Sequence, residues 1–279
     1  MIIARTIEEA RSWRREAGAA RTALVPTMGA LHEGHFSLMQ KARAQADRLA
    51  VSLFVNPRQF GPQEDLARYP RTFEQDVQAC KAEGVDCLFH PSPADIYPDG
   101  HRTFVEVEEL SGALEGQSRP THFRGVTTVV LKLFNIMTPD LAVFGWKDAQ
   151  QFILLSRMVR DLDLPVEMLA GETVREPDGL ALSSRNRFLT PAQRAEAPVL
   201  HRSLQLARAL ALEQGVSSAE ALQGRMRRTI EAESSAKIDR IDLVSLTTLK
   251  ALPEVKIGDT LIALAAHFGD MRLIDNVRL

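Results

Sequence analysis

The sequence has 279 residues, of which 45% are hydrophobic and 25% are charged, a composition that supports a globular core without a disulfide or a metal. The formal net charge is -2 at pH 7, which excludes a global basic field for attracting nucleic acid or an anionic membrane. No apolar run approaches the ~20 residues that a helix needs to cross a bilayer.

Strands and helices alternate through the first part of the chain. Strands are predicted at 2–4, 22–26, 49–55, 85–89, 141–144 and 166–169. Helices are predicted from a capping box at 6–9 to Gly18, and then at 36–48, 72–83, 125–137 and 148–161. The segment 49–55 is apolar almost throughout, as expected for a parallel strand that is covered on both faces. The alternation therefore predicts an α/β fold with a doubly wound parallel sheet.

The pattern changes near residue 175. A polar loop leads to Thr190 and Pro191, a pair that is typical of a helix start. Two helices are predicted at 191–213 and 218–234, the second opened by a capping box at 217–220, and strand-like segments at 238–245, 260–267 and 271–274. We therefore expect a Rossmann-like catalytic domain at 1–187 and a smaller C-terminal α+β domain at 188–279.

The most informative motif is Pro-Thr-Met-Gly-Ala-Leu-His-Glu-Gly-His at 26–35. It follows a strand and leads into a helix, whose first N–H groups and positive dipole end suit a phosphate. Gly34 permits close approach of the backbone, and His32 and His35 supply two imidazoles. Two histidines at this spacing also occur on surfaces or at zinc sites, but no third zinc ligand is evident nearby. The position of the motif between a strand and a helix therefore favours binding of a nucleotide triphosphate over a zinc site or a surface position.

A second motif, Leu182-Ser183-Ser184-Arg185-Asn186, combines two hydroxyls with a guanidinium. These groups can donate several hydrogen bonds to phosphate oxygens, and arginine supplies the bidentate geometry. Taken alone, the segment is equally consistent with an exposed polar linker.

Two other strand ends carry polar side chains. In the segment 145–151, Lys147 is placed to reach a phosphate, Asp148 to cap a helix, and Gln151 to offer an amide to a polar substrate. The segment 56–60 contributes the neutral side chains of Asn56 and Gln59. Because ligands gather at the carboxyl ends of parallel strands, these loops and the histidine motif are expected at one cleft.

Weaker candidates lie elsewhere. The basic loop at 119–125 is interpreted as an anion site or as a surface turn whose charge is solvated. Asp65, Tyr69, Arg71 and Asp76 are candidates for the other side of the cleft, although Asp76 is interpreted as charge on a helix face.

In these motifs, and in several further sequence blocks, the chain resembles the pantothenate synthetase (pantoate–β-alanine ligase) family of the nucleotidylyltransferase superfamily. The histidine motif and the serine-arginine motif resemble the HIGH and KMSKS pair of that superfamily. The resemblance rests on PTMGALHEGH at 26–35, FVNPRQF at 54–60, YPRT at 69–72, RPTHFRGVTTVVLKLFN at 119–135, FGWKDAQQ at 144–151, REPDGLALSSRNRFL at 175–189 and MRLIDN at 271–276. The family usually has glutamate at the position of Trp146 and methionine at that of Leu182.

The resemblance implies a set of site residues. Catalytic roles are implied for His35, as proton donor, and for His32, Lys147 and Arg185. Gln59 and Gln151 would bind pantoate, and Gln59 would also contact β-alanine. The implied ATP site is lined by Met28, Gly29, Ala30, Leu31, His32, Glu33, Gly34, His35, Gly145, Trp146, Lys147, Asp148, Val174, Leu182, Ser183, Ser184 and Arg185.

The resemblance also implies a reaction. Pantoate would be adenylated by ATP, used with Mg²⁺ whose protein ligands stay unassigned, and β-alanine would then displace AMP to form pantothenate. A homodimer is implied, with the C-terminal domain closing over the active site.

Two alternatives stay open. One is a different nucleotidyltransferase that transfers AMP or CMP to a phosphorylated acceptor, and the other is a nucleotide- or RNA-binding module, which the near-neutral charge disfavours. Cys80 and Cys87 are expected to be free thiols in a reducing compartment. Because the first residues lack the apolar core of a signal peptide, a cytoplasmic enzyme of small molecules is expected, with no nucleic-acid or membrane partner.

Overall fold

The computed structural model describes residues 1–61, 66–67 and 69–279, and these fold into two compact units. The first unit comprises Met1–Trp146 and Gln151–Glu172, and the second comprises Lys147–Gln150 and Thr173–Leu279. Residues 173–187, which the sequence-based division places in the catalytic domain, lie in the second unit. The functional boundary at 187/188 and the closing of the C-terminal domain stay predictions.

The first unit contains a six-stranded sheet with the order β1-β4-β3-β2-β5-β6, and every strand pair in it is parallel. The predicted doubly wound α/β fold is therefore confirmed. The strands are β1 (Ile2–Ala4), β2 (Thr22–Thr27), β3 (Arg48–Leu53), β4 (Cys87–Phe89), β5 (Leu141–Gly145) and β6 (Glu167–Gly171). The helices in this part of the chain are α1 (Ile7–Glu16), α2 (Glu33–Arg43), α3 (Phe73–Ala82), α4 (Pro93–Ile96), α5 (Glu115–Ser118), α6 (His122–Met137) and α7 (Ala149–Asp161).

The apolar strands of this sheet serve two cores because successive side chains of a strand point to opposite faces. Leu24 and Phe144 belong to one buried cluster, which includes residues of α1, α6 and α7. Val25 and Val143 belong to another, which includes residues of α2 and α3. Burial on both faces explains why β2, β3 and β5 read as nearly continuous apolar runs.

The strand order creates a switch point at β2. The chain proceeds from β2 outward through β3 to β4, and β5 then pairs with the other side of β2. The segments that follow β2, β3 and β5 therefore leave the same edge of the sheet beside the crevice where such folds bind ligands.

The second unit contains three helices and an antiparallel sheet of order β7-β8-β9. The predicted α+β character of the C-terminal region is therefore confirmed. The predicted helix at 191–213 is wrong in one respect: the chain breaks at Pro198, whose ring cannot continue a helix. The elements are α8 (Pro191–Glu196), α9 (Val199–Leu212), α10 (Ala219–Glu233), β7 (Lys237–Ser245), β8 (Thr260–Phe268) and β9 (Met271–Arg278).

Two further expectations concern the thiols and the membrane. Cys80 on α3 and Cys87 on β4 are both buried free cysteines. In the part of the chain that the structure describes, no helix has the length and apolarity for spanning a bilayer.

Candidate active site

The turn between β2 and α2 carries the histidine motif. The helix begins at Glu33, with His32 as its N-cap, so the predicted start at Phe36 is wrong. The imidazole of His32 supplies the acceptor that the helix start needs, because its Nδ1 accepts from the Gly34 N–H at 3.1 Å. The last part of the motif, 32–35, therefore forms the N-cap and first turn of the helix rather than a loop before it.

The two imidazoles of this turn adopt a reciprocal arrangement. The His32 N–H donates to His35 Nδ1 at 3.3 Å, and the ring centroids lie 4.2 Å apart. Since both Nδ1 atoms accept a backbone hydrogen bond, the ring proton of each neutral histidine is on Nε2. Each imidazole can therefore present an N–H donor through Nε2 while its other nitrogen caps the helix.

Asp76 of α3 holds the backbone before this helix. It is 3% exposed, and its two carboxylate oxygens accept from the N–H groups of Ala30 and Leu31 at 3.0 and 2.9 Å. The Thr72 hydroxyl donates to the same carboxylate. Ala30 has a φ of 53°, a conformation that costs energy for a non-glycine residue and persists where surrounding bonds impose it. The interpretation of Asp76 as charge on a helix face is therefore wrong.

Gln59 lies in the segment that follows β3 and is also buried. The Asn56 amide donates to Gln59 Oε1 at 3.1 Å, and this orients the Gln59 Nε2 toward Met28 Sδ at 3.0 Å. Asn56 is itself fixed by the Tyr97 hydroxyl, which donates to its Oδ1 at 2.9 Å. The predicted substrate residue and the first residue of the predicted ATP segment are thus in contact.

The basic loop at 119–125 positions the same segment. The Nδ1–H of His122 donates to the Gln59 carbonyl at 2.9 Å, and Arg119 donates to it at 3.4 Å. Gly125 packs so closely that a Cβ there would lie 2.3 Å from the Arg58 carbonyl oxygen. Of the two interpretations of this loop, the solvated surface turn is wrong for Arg119 and His122.

The other weak candidates differ from one another. Tyr69 packs edge-on against Phe60 with ring centroids 5.9 Å apart, and Arg71 is exposed. Asp65 lies outside the described residues.

At the end of β5, Gly145 is half-buried and Trp146 is 8% exposed. The indole ring of Trp146 packs against Phe152 with centroids 5.5 Å apart. The Trp146 side chain is therefore part of the packing around α7. Gln151 is half-buried near the start of that helix.

The second unit contains a pocket whose polar lining includes three cationic side chains. Lys147 and Arg185, both predicted to grip phosphate, line this pocket together with Ser183. The Lys147 side chain is 19% exposed and lies 3.7 Å from the Asp148 carboxylate, whereas Arg185 is exposed. The remaining lining residues are Leu180, Ala181, Asn186, Leu200, Arg272, Leu273, Ile274 and Asp275. The arrangement suits a polyanion.

Ser183 begins the turn that carries Arg185. Its Oγ accepts from the Arg185 N–H at 3.2 Å, so its hydroxyl hydrogen can still donate to a ligand. Leu182 pairs with Val174 across a short hairpin, its N–H donating to the Val174 carbonyl at 2.9 Å. Both are half-buried, as is Ser184.

The metal ligands stay unassigned. Among residues 1–61, 66–67 and 69–279, no group of three or more His, Cys, Asp or Glu side chains is placed to hold a metal ion.

A parallel sheet with an imidazole-bearing helix start at its switch point, and a cationic pocket lined by lysine, serine and arginine, define a nucleotide-dependent α/β enzyme. The comparisons with known proteins identify the family. A family model described as pantoate-beta-alanine ligase matches residues 2–278, and the chain belongs to that family.

The relatives cover nearly the whole chain. It is 52% identical over 262 residues to a pantothenate synthetase of Syntrophotalea carbinolica, covering 94% of this chain and 92% of the relative. It is 49% identical over 281 residues to that of Thermotoga neapolitana, with 100% coverage of both.

The solved structures agree. A pantothenate synthetase from Thermus thermophilus superposes with a TM-score of 0.93 at 43% identity, covering 100% of this chain and 99% of the other. A pantoate-beta-alanine ligase from Francisella tularensis, complexed with Beta-gamma ATP and Beta-alanine, gives 0.81 at 37% identity, covering 100% and 97%. The resemblance drawn from the sequence blocks is thereby confirmed.

Proposed function

We propose that this chain catalyses the ATP-dependent condensation of pantoate with β-alanine, giving pantothenate, AMP and pyrophosphate. The observation that carries the proposal is the family match across residues 2–278. The Francisella ligase, whose structure is described as a complex with an ATP species and β-alanine, supports the choice of substrates.

The reaction has two displacements. A pantoate carboxylate oxygen attacks the α-phosphorus of ATP, and the bond from that phosphorus to pyrophosphate breaks. The β-alanine amine then attacks the acyl carbon of pantoyl adenylate, loses a proton, and displaces AMP. Because the substrates provide both nucleophiles, the protein has to align them and to neutralise charge that develops on phosphate oxygens.

In the first unit, we assign ATP binding to Met28, Gly29, Ala30, Leu31, His32, Glu33, Gly34, His35, Gly145 and Trp146. His35 and His32 act through Nε2, since each Nδ1 accepts a backbone hydrogen bond. An Nε2–H donor next to a helix N-terminus stabilises a pentacoordinate phosphorus without giving up its proton. His35 is therefore a hydrogen-bond donor in the first step, and it becomes a proton donor only by exchanging its helix-capping bond.

In the second unit, we assign the triphosphate to Lys147, Ser183, Ser184 and Arg185, with Asp148, Val174 and Leu182 completing the pocket. Two cationic side chains and a hydroxyl donor in one pocket support this assignment. Charge-assisted hydrogen bonds from such groups strengthen as negative charge moves onto the departing pyrophosphate.

For the acceptor substrates, we assign Gln59 to pantoate and β-alanine and Gln151 to pantoate. Gln59 is held by Asn56 beside Met28, and a preoriented neutral amide can bind a carboxylate or hydroxyl without competing for the phosphates.

Two expectations from the family resemblance stay proposals. ATP is expected to bind as its Mg²⁺ complex. In such sites the ion is usually held by the substrate phosphates and by few protein ligands. A homodimer is expected, and sedimentation velocity of the purified chain measures it directly.

The proposal is tested by incubating the purified chain with ATP, pantoate and β-alanine and quantifying pyrophosphate, AMP and pantothenate. Pyrophosphate is expected with pantoate and ATP alone, and pantothenate only when β-alanine is added. Adenylyl transfer to a phosphorylated acceptor without amide formation would replace the proposal with the alternative transferase, and ATP binding without pyrophosphate release would indicate a binding module.

A further inference from the structure

We propose that Asp275 and Asn276, adjacent residues of β9, are positioning residues for the phosphate-binding pocket of the second unit. Each holds one of the two segments that carry Lys147 and Arg185, the two lining cations assigned to phosphate. The inference rests on the proposed function, because it concerns how Lys147 and Arg185 are presented to a polyphosphate.

Asn276 holds the first segment. Its Nδ2 donates to the backbone carbonyl of Lys147 at 3.0 Å, and its side chain is buried. Lys147 lies 129 positions earlier in the chain, so this contact ties the lysine's backbone to the sheet. Fixing the backbone of Lys147 limits the region that its ammonium can reach on the flexible side chain, so less backbone freedom is lost when a phosphate binds.

Asp275 holds the second segment through Arg175. The two Arg175 amino groups donate to the two Asp275 oxygens at 2.7 and 2.9 Å, and the Asp275 side chain is 3% exposed. The same guanidinium also donates to the Gly179 carbonyl at 3.0 Å. A buried bidentate pair of this kind fixes both position and orientation of the hairpin that Arg175 begins.

The hairpin in turn holds the serine-arginine motif in position through hydrogen bonds. Arg175 pairs with Ala181 across the hairpin. Asn186 then donates to the Ala181 carbonyl at 3.0 Å and to Glu176 at 3.1 Å. Since Asn186 lies in the same short turn as Ser183 and Arg185, a displacement of Asp275 or Arg175 is transmitted to both phosphate-binding side chains.

A purely structural role would have a different signature. Loss of a structural contact lowers the folded fraction, and the activity then falls equally at every substrate concentration. Loss of a positioning contact changes how tightly the pocket holds phosphate. It therefore raises the KM for ATP and the inhibition constant of pyrophosphate together, and it leaves the KM for pantoate unchanged.

The first experiment uses Asn276→Leu, which removes the donor to Lys147 while keeping a buried side chain of similar size. The expected result is a rise of about tenfold in the KM for ATP and in the pyrophosphate inhibition constant, the equivalent of one hydrogen bond of about 1.4 kcal/mol. Asn135→Leu, at an exposed position of α6, is the matched control and is expected to leave both constants unchanged.

The second experiment uses the double variant Arg175→Met/Asp275→Leu. Replacing both members of a buried ion pair by apolar residues is often neutral or stabilising, whereas removing one member alone is costly. The expected result is an unchanged or raised Tm with a KM for ATP increased about tenfold or more. Asp259→Asn is the control, because Asp259, in the turn before β8, accepts from Ser245 and Thr247 and does not line the pocket. It is expected to lower Tm without changing the KM for ATP.

The outcomes separate the two proposals. If the wild-type chain releases no pyrophosphate with pantoate and ATP, the proposed function fails first. If the wild-type chain is active and Asn276→Leu keeps the wild-type constants for ATP and pyrophosphate, the positioning role of β9 is wrong. Should the double variant fail to fold, Arg175→Lys takes its place, because it keeps the charge and removes the bidentate pair; a wild-type KM for ATP in that variant would show that the Asp275 part of the proposal is wrong.

Discussion

The two ring nitrogens of His35 have separable tasks, and two substitutions can test them individually. Nδ1 accepts the His32 N–H and so helps to cap α2, whereas Nε2 is assigned to the phosphate. In His35→Asn, the amide oxygen reaches the position of Nδ1 but nothing reaches that of Nε2. In His35→Gln, the longer side chain places its amide nitrogen near the position of Nε2 and gives up the capping acceptor.

The expected magnitudes follow from these contacts. His35→Asn should slow pantoate-dependent pyrophosphate release by about 10²–10³, the usual loss for one preorganised donor to a developing charge, with little change in stability. His35→Gln should keep much more of the rate but lose about 0.5–1.5 kcal/mol of stability, the usual net contribution of one hydrogen bond, with the acceptor for the His32 N–H. The lower part of that range is expected because the capping bond is long, at 3.3 Å.

Single-turnover pyrophosphate release and urea unfolding measure the two effects on the same preparations. His35→Ala removes both nitrogens and should combine the two losses. If His35→Asn releases pyrophosphate at the wild-type rate, Nε2 has no part in adenylation. If His35→Gln is as slow as His35→Asn while folding normally, the ring acts by shape rather than by donating a hydrogen bond.

Three other predictions follow from buried groups. Asp76→Asn turns one acceptor of a backbone N–H into a donor and should cost about 1–3 kcal/mol of stability, with a higher KM for ATP; a wild-type KM would show that the loop order is irrelevant to ATP. Gly125→Ala places a Cβ 2.3 Å from the Arg58 carbonyl oxygen. It should therefore lower Tm and raise the KM for pantoate, and an unchanged KM in steady-state kinetics would contradict this. Burial raises the pKa of both Cys80 and Cys87 to about 12. Because the unfolded thiols ionise first, from about pH 8.5, stability should fall as the pH rises above that value. Cys80→Ala and Cys87→Ala should each flatten this decline in urea titrations, and both thiols should resist iodoacetamide at pH 8 until the chain unfolds.

The sheet was predictable because its signal is local. Apolar strands that alternate with amphipathic helices specify a parallel sheet covered on both faces, and the two buried clusters have that arrangement. The errors concern helix boundaries, where the residue that starts or interrupts the helix was not recognised from the sequence pattern. Histidine is a rare N-cap, so the sequence pattern indicates Phe36 instead of Glu33 as the start of α2. Pro198 breaks a helical pattern that otherwise continues to Leu212.

In the candidate site, the residues that could be predicted from the sequence are those whose own side chains can bind phosphate. Imidazoles at a helix mouth, and serines next to an arginine, are informative at short range. The residues that hold such groups were not predictable, because each acts across a large sequence separation. Asp76 is 45 and 46 positions from the N–H groups it binds, and Asp275 is 100 positions from Arg175. Only the fold brings those partners together.

The two buried aspartates solve the same electrostatic problem in their separate units. A carboxylate near a triphosphate site would repel the substrate unless its charge were compensated by the protein. Asp76 receives two backbone N–H groups and the Thr72 hydroxyl, and Asp275 receives a bidentate guanidinium. Each carboxylate therefore orders a ligand-binding segment with donors that are distinct from those assigned to the phosphates. The one carboxylate among the residues lining the pocket, Asp275, is therefore paired with Arg175 and does not compete with a phosphate for Lys147 or Arg185.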